Sequence, residues 1–152
     1  MINGVNVLKL EEIHELWSKD SEIDYTSIDR EAVKTPKLHN KYYQIFSQER
    51  LALRKLESDY KQLYLLKHEY FTGALDQETL SEKNWQPNQR LILKADLDTH
   101  IEADKDIIAL TLKIAYQKEK TLLLESIINT IQNRGFAIKN YIDWQRFTNG
   151  GS

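Results

Sequence analysis

Lys41, Arg54, Lys55, Lys61 and Lys67 are interleaved with Tyr42, Tyr43, Tyr60, Tyr64 and Tyr70. Cations neutralise phosphates and aromatic faces stack on bases, so single-stranded DNA binding needs this mixture of residue types. A plain packing role is the competing reading. Tyrosine at helical spacing commonly lies in a core or interface, and lysine commonly edges a solvated face. Residue types alone leave both readings open.

Other chemistry finds less support. The run Asp96, Asp98, His100, Glu102, Asp104, Asp106 invites a metal. A calcium loop of the EF-hand type starting at Asp96 needs glycine at its sixth position, where Ile101 stands. Two-metal nuclease chemistry needs carboxylates converging from separate elements, and no second acidic set supplies the other half. A solvated or interface face is the expected role, which makes a metal-dependent nuclease the weakest reading. His14, His39, His68 and His100 share no ligand spacing. No phosphate-binding G-x-x-x-x-G-K-[ST] loop occurs, and no local context suggests a Ser/His/Asp set. The chain has no cysteine, hence no thiolate or disulfide. The expectation is a protein that is not an enzyme and uses no metal or cofactor.

Composition bounds the rest. With 152 residues, 41% hydrophobic and 29% charged, the chain can bury a real core and is not of disordered type. No apolar run is long enough to cross a bilayer, and residues 1–10 lack a signal-peptide pattern. A reducing, cytoplasmic setting is expected. The net charge of −2 conceals an alternation. Residues 1–31 carry three Lys/Arg against eight Asp/Glu, and residues 34–68 carry eight against three. Residues 69–106 carry four against nine, and residues 107–152 six against three. Such a protein is no general polycation, but it can carry a local basic track.

The elements that must position these residues read as helices. Leu8, Ile13, Leu16 and Trp17 have a short helical period. Asp24 to Pro36 reads as a brief helical piece and a linker. From Leu38 to Phe71, apolar residues recur mostly at spacings of three, four or seven, with Gly73 as the stop. About 34 residues of helix is roughly 50 Å, too long for one small globule, so it should pair with another helix or subunit. Residues 74–90 read as loop. Residues 91–103 alternate apolar and polar, which predicts an extended strand, with a helical reading of its later part left open. A second long helix is predicted over 106–132 and a final one over 136–147. The predicted regions are a helical one over 1–73 with the basic, aromatic helix, an acidic connector over 74–104, and C-terminal oligomerisation helices over 105–152. The expected fold class is mainly all-α, built on long amphipathic helices, with a short extended strand near 91–103.

Between the last two predicted helices lies Asn133-Arg134-Gly135-Phe136-Ala137-Ile138-Lys139. Gly135 can end one helix while Phe136 and Ile138 begin packing for the next, which predicts a helix–turn–helix corner flanked by Arg134 and Lys139. This run resembles the C-terminal signature of the UvsY family of recombination mediators from T-even-type phages. The similarity extends through Ile23-Asp24, the close at Tyr70-Phe71-Thr72-Gly73 and the stretch around Ala95-Asp96. It covers most of the chain beyond the first dozen residues.

The resemblance implies a ring-like homo-oligomer of about six or seven subunits in the infected host's cytoplasm. It implies binding of single-stranded DNA, weakening of the single-strand DNA-binding protein's hold, and loading of a RecA-like recombinase. Two basic residues spaced two apart before the aromatic pair are tied to DNA binding in that family. Those positions are Leu65 and Lys67 here, so the neighbours Arg54, Lys55 and Lys61 take on more of that role. The expected DNA-binding set is Lys41, Arg54, Lys55, Lys61, Lys67, Arg134 and Lys139. The alternative from another class is a structural helical scaffold module without DNA affinity.

Overall fold

A computed structural model describes residues 8–150. Every α-helix or 3-10 turn in it, in chain order, is α1 (Leu10–Asp20), α2 (Ile28–Thr72), α3 (Gln77–Glu82), a 3-10 turn at Lys94–Asp96, α4 (Leu97–Glu102) and α5 (Lys105–Thr148). The described residues contain no strand, so the mainly helical expectation holds and the extended strand expected near 91–103 does not. They pack as two compact units. One holds the described residues up to Leu51 and those from Lys118 onward, and the other holds Ala52–Gln117.

The first unit is built on spacing. On α5, Leu124, Ile127, Ile128 and Ile131 fall three or four apart and are buried with Ile13 of α1 and Tyr42 of α2. Trp17 meets the Tyr42 ring edge-on at 5.4 Å between centroids, and Leu38, Ile45 and Phe46 extend the cluster. Polar residues occupy the same stripes and are buried with it. Lys120 Nζ donates to Glu49 at 2.7 Å and to the Leu8 carbonyl at 3.0 Å. Arg134 donates to Glu31, which also receives Lys34. These two acid–base pairs set α2 and α5 antiparallel within this unit.

Two sequence expectations fail here for one reason. Where a linker was expected before Pro36, residues 24–27 form a turn, with Asp24 accepting from the Thr26 amide at 2.9 Å, and α2 then runs from Ile28 through Pro36. The corner at Gly135 is also helix, with α5 unbroken through it. Pro36 removes one backbone donor, and a mid-helix glycine costs about 1 kcal/mol. The packing on both sides outweighs these costs. Glu31 and Leu38 flank Pro36, and Ile131, Arg134 and Ile138 carry the buried stripe past Gly135. Phe136, expected to pack, is 69% exposed.

The second unit closes around Leu97, Ile101 and Ile107, with Tyr60, Leu63, Tyr64, Phe71 and Ile92 packed against them. The strand expected over 91–103 is a 3-10 turn followed by α4. Leu97 and Ile101, four apart, are the residues that find the core, whereas Leu91 and Leu93 are exposed. An alternating strand needs a partner edge, and a four-residue spacing on a helix does not. The loop expected over 74–90 contains α3, capped by Asp76 accepting from the Thr79 amide at 2.7 Å. Gly73 does end α2, at φ +75, with Ala74 N–H returning to the Glu69 carbonyl at 2.9 Å.

Lys67 ties this unit together. It is buried, donating to Asp104 at 2.9 Å and Asp106 at 2.7 Å, and it lies 3.9 Å from the Trp85 ring centre. Asp104 also accepts from the Asp106 amide at 2.9 Å, capping the start of α5. The Lys67 hydrogen bond holds the Asp106 carboxyl below its ordinary value of 3.8, even though its partial burial pushes the other way.

Two predictions test this packing. Gly135→Ala should stabilise the protein by about 0.5–1 kcal/mol, because the position is helical and a Cβ there meets nothing within 4 Å. A lower urea midpoint for that variant would restore the corner. Lys67→Met should cost about 2 kcal/mol, below the ~3–5 kcal/mol of a fully buried pair because Asp106 remains 40% exposed. Asp106 has a folded value below its unfolded one, so the unfolded chain binds more protons as pH falls between them. Its stabilisation is complete above the ordinary carboxylate value and is lost as pH falls through the depressed one. Lys67→Met should therefore flatten the acid limb of stability against pH, and an unchanged limb would contradict the pairing.

Candidate nucleic-acid interface

The seven cations expected to meet DNA separate into three situations. Lys67 and Arg134 point inward and are consumed by the ion pairs described above. Arg134 is only 6% exposed, so neither it nor Lys67 offers its charge to a phosphate in this structure. Lys41 lies at the surface but donates to Asp20 at 2.5 Å, where the Tyr42 hydroxyl also donates at 3.0 Å. Burial pushes the Asp20 carboxyl up, and the hydrogen bonds from Lys41 and Tyr42 more than offset it, leaving it below its ordinary value. Burial and Asp20 together push the Tyr42 hydroxyl well above its usual range.

Arg54, Lys55 and Lys61 are different. All three are exposed on the part of α2 in the second unit, and none pairs with a carboxylate among the described residues. Arg54 and Lys61, seven apart, share one helix face. Lys139 is likewise exposed and unpaired on α5, in the first unit.

The tyrosines do not accompany these cations. Tyr42 is fully buried. Tyr60 and Tyr64 pack on the second unit's core, and the Tyr64 hydroxyl donates to Asp98 at 2.8 Å, which pushes it up to about 12. The Tyr70 hydroxyl donates to the Gln86 carbonyl at 2.8 Å. Tyr43 alone of the five is largely at the surface, stacked on His39 at 5.8 Å. Of the five tyrosines on α2, only Tyr43 is exposed as the cations are. The exposed cations of α2 therefore stand without an adjoining row of exposed rings.

Sequence reasoning did not pair the inward cations with the acids that claim them: Glu31, Glu49, Asp104 and Asp106. A signal existed. Lys67 continues the stripe of Tyr60, Leu63 and Tyr64, and Lys120 and Arg134 continue that of Leu124, Ile127 and Ile131. A cation at core spacing predicts a buried partner. The acidic run 96–106 is dispersed, with Asp98 on Tyr64 and Asp104 and Asp106 on Lys67. Among the described residues no group of three or more His, Asp or Glu is placed to hold a metal ion. No helix among them is long and apolar enough to cross a membrane.

Comparison with known proteins bears on this arrangement. The profile of a family described as "Recombination, repair and ssDNA binding protein UvsY" matches residues 16–151. The chain is 25% identical over 143 residues to the recombination protein uvsY of Enterobacteria phage T4, covering 94% of this chain and 99% of that protein. Its fold is similar to crystal structures of the bacteriophage T4 recombination mediator protein UvsY. In lattice type IV the TM-score is 0.82 at 24% identity, covering 92% of this chain and 99% of the other. In lattice type II the TM-score is again 0.82 at 24% identity, covering 93% and 98%. With a family profile spanning nearly all of its length, the chain belongs to the UvsY family of recombination, repair and single-stranded-DNA-binding proteins.

Proposed function

We propose that this protein is a recombination mediator. It binds single-stranded DNA as a ring-like homo-oligomer, loosens the single-strand DNA-binding protein, and helps a RecA-like recombinase load in the infected host cell. The observation that carries the reading, beside family membership, is the set of exposed, unpaired cations Arg54, Lys55 and Lys61. Each subunit supplies a few weak phosphate contacts, and a ring multiplies them through effective concentration. DNA curved onto such an assembly follows a different path from the one it takes on the single-strand binding protein, and that strain favours handover.

The surface of α5 supports assembly, in line with an oligomerisation role for residues 105–152. In the second unit Ile108, Leu112 and Tyr116 stand exposed at four-residue spacing. In the first unit Leu122, Phe136, Trp144 and Phe147 are exposed while Leu124, Ile127 and Ile131 are buried. A helix apolar on its outer as well as its inner side calls for a further partner. A scaffold module without DNA affinity would show the same surface, so the two readings part at DNA.

Fluorescence anisotropy of a labelled single-stranded oligonucleotide, titrated across a salt series and repeated with a duplex, separates them. The mediator reading expects tighter binding to the single strand, falling steeply with salt. The double variant Arg54→Ala with Lys61→Ala should bind more weakly and show a shallower log–log salt slope, by roughly 0.7 for each phosphate that the two side chains neutralise. No binding at low salt would leave the scaffold. In sedimentation, Leu112→Asp with Leu122→Asp should yield a smaller species, and an unchanged size would remove α5 from the interface.

A further inference from the structure

An open groove of about 580 Å³ lies in the second unit, between the last turn of α2 and the extended segment after α3. Its lining includes His68, Phe71, Arg90, Ile92, Lys94 and Leu97. It contains no carboxylate, although residues 69–106 carry nine Asp/Glu against four Lys/Arg. Two of those four cations, Arg90 and Lys94, stand on one wall, exposed and without an ion-pair partner among the described residues. A basic, acid-free recess in an acidic part of the chain is a local reversal of charge.

The walls are held in place. Asn88 Nδ2 donates to the Phe71 carbonyl at 3.0 Å and to the Arg90 carbonyl at 3.1 Å, while the Arg90 amide donates to Asn88 Oδ1 at 3.3 Å. The Tyr70–Gln86 hydrogen bond fixes the same segment to α2. An occupant therefore meets a preformed shape and bears little ordering cost. Opposite the cations lies the carbonyl end of α2, which is electronegative and disfavours an anion. The apolar groups include Phe71, 5.2 Å from Tyr70 and 6.2 Å from His100 between ring centres, Ile92 and Leu97. Leu91, also in the lining, is 97% exposed.

This geometry favours a ligand with anionic charge along one edge and flat apolar surface along the other. An unpaired nucleotide has both, and a duplex keeps its base faces stacked inside. We propose that the groove is a single-stranded DNA subsite, with phosphates on Arg90 and Lys94 and a base laid toward Phe71, Ile92 and Leu91. The proposal rests on the DNA-binding reading above and gives it a location that the sequence, read by net charge, passed over. It also supplies the apolar surface that α2's exposed cations lack.

The test compares the full chain, Arg90→Ala/Lys94→Ala, and a control with two exposed cations of the same unit outside the groove, Lys83→Ala/Lys113→Ala. Binding of labelled oligo(dT) is measured across a salt series. The groove variant should bind roughly fivefold or more weakly, with a salt slope shallower by about 0.7 for each phosphate no longer neutralised, and the control should stay close to the parent. Photocrosslinking of the unaltered protein to 5-iodouracil-substituted oligonucleotide should recover peptides from residues 68–97. An unchanged affinity and slope in the groove variant, or crosslinks confined to residues 52–62, would overturn the subsite while leaving DNA binding intact, and an acidic peptide would then be the better occupant. Failure of the unaltered protein to bind the oligonucleotide would overturn both the subsite and the reading beneath it.

Discussion

A charge set within the apolar stripe of a helix has to meet its opposite, and much of this structure follows from that requirement. Lys120 meets Glu49, Arg134 meets Glu31, and Lys67 meets Asp104 and Asp106. Each pair bears the cost of leaving water, so none is a free source of stability. Their effect is selective. An apolar stripe can slide by a turn and still bury leucines, but a slide here would strand a charge. In the first unit the two pairs on α2 and α5 fix the antiparallel register, and Leu124, Ile127 and Ile131 then fall opposite Tyr42 and Ile45.

The same requirement divides the cations by role. Those at core spacing are neutralised inside, while others, among them Arg54, Lys55, Lys61, Arg90, Lys94 and Lys139, are exposed and without an ion-pair partner among the described residues. With a net charge of −2, one chain has no long-range pull on DNA. Affinity on the proposed mechanism must come from short-range contacts repeated across an assembly. The outer apolar residues of α5 provide a reason to assemble, so the proposed DNA binding and the proposed oligomerisation depend on each other.

Much of this was legible in the chain. Helical class, the long amphipathic stretch from Leu38 to Phe71, its stop at Gly73 and the family resemblance all came from local spacing and local motifs, which act over a turn or two. Three readings did not survive, and each failed where a local signal met a distant partner. Pro36 and Gly135 are breakers by propensity, but the helices run through them because the buried stripe continues on both sides. Residues 91–103 alternate like a strand, yet Leu97 and Ile101 reach a core only as a helix.

Residue types and periodicity by themselves pointed to a mainly helical protein with a candidate basic track and no evident catalytic set. They could not determine which cations belong to that track. Lys67 and Lys61 are alike in residue type, and although Lys67 continues a core stripe, spacing names no partner: one is buried against Asp104 and Asp106 while the other faces water. Only the tertiary structure decided between them, because a charge's availability depends on which residues far along the chain are folded against it.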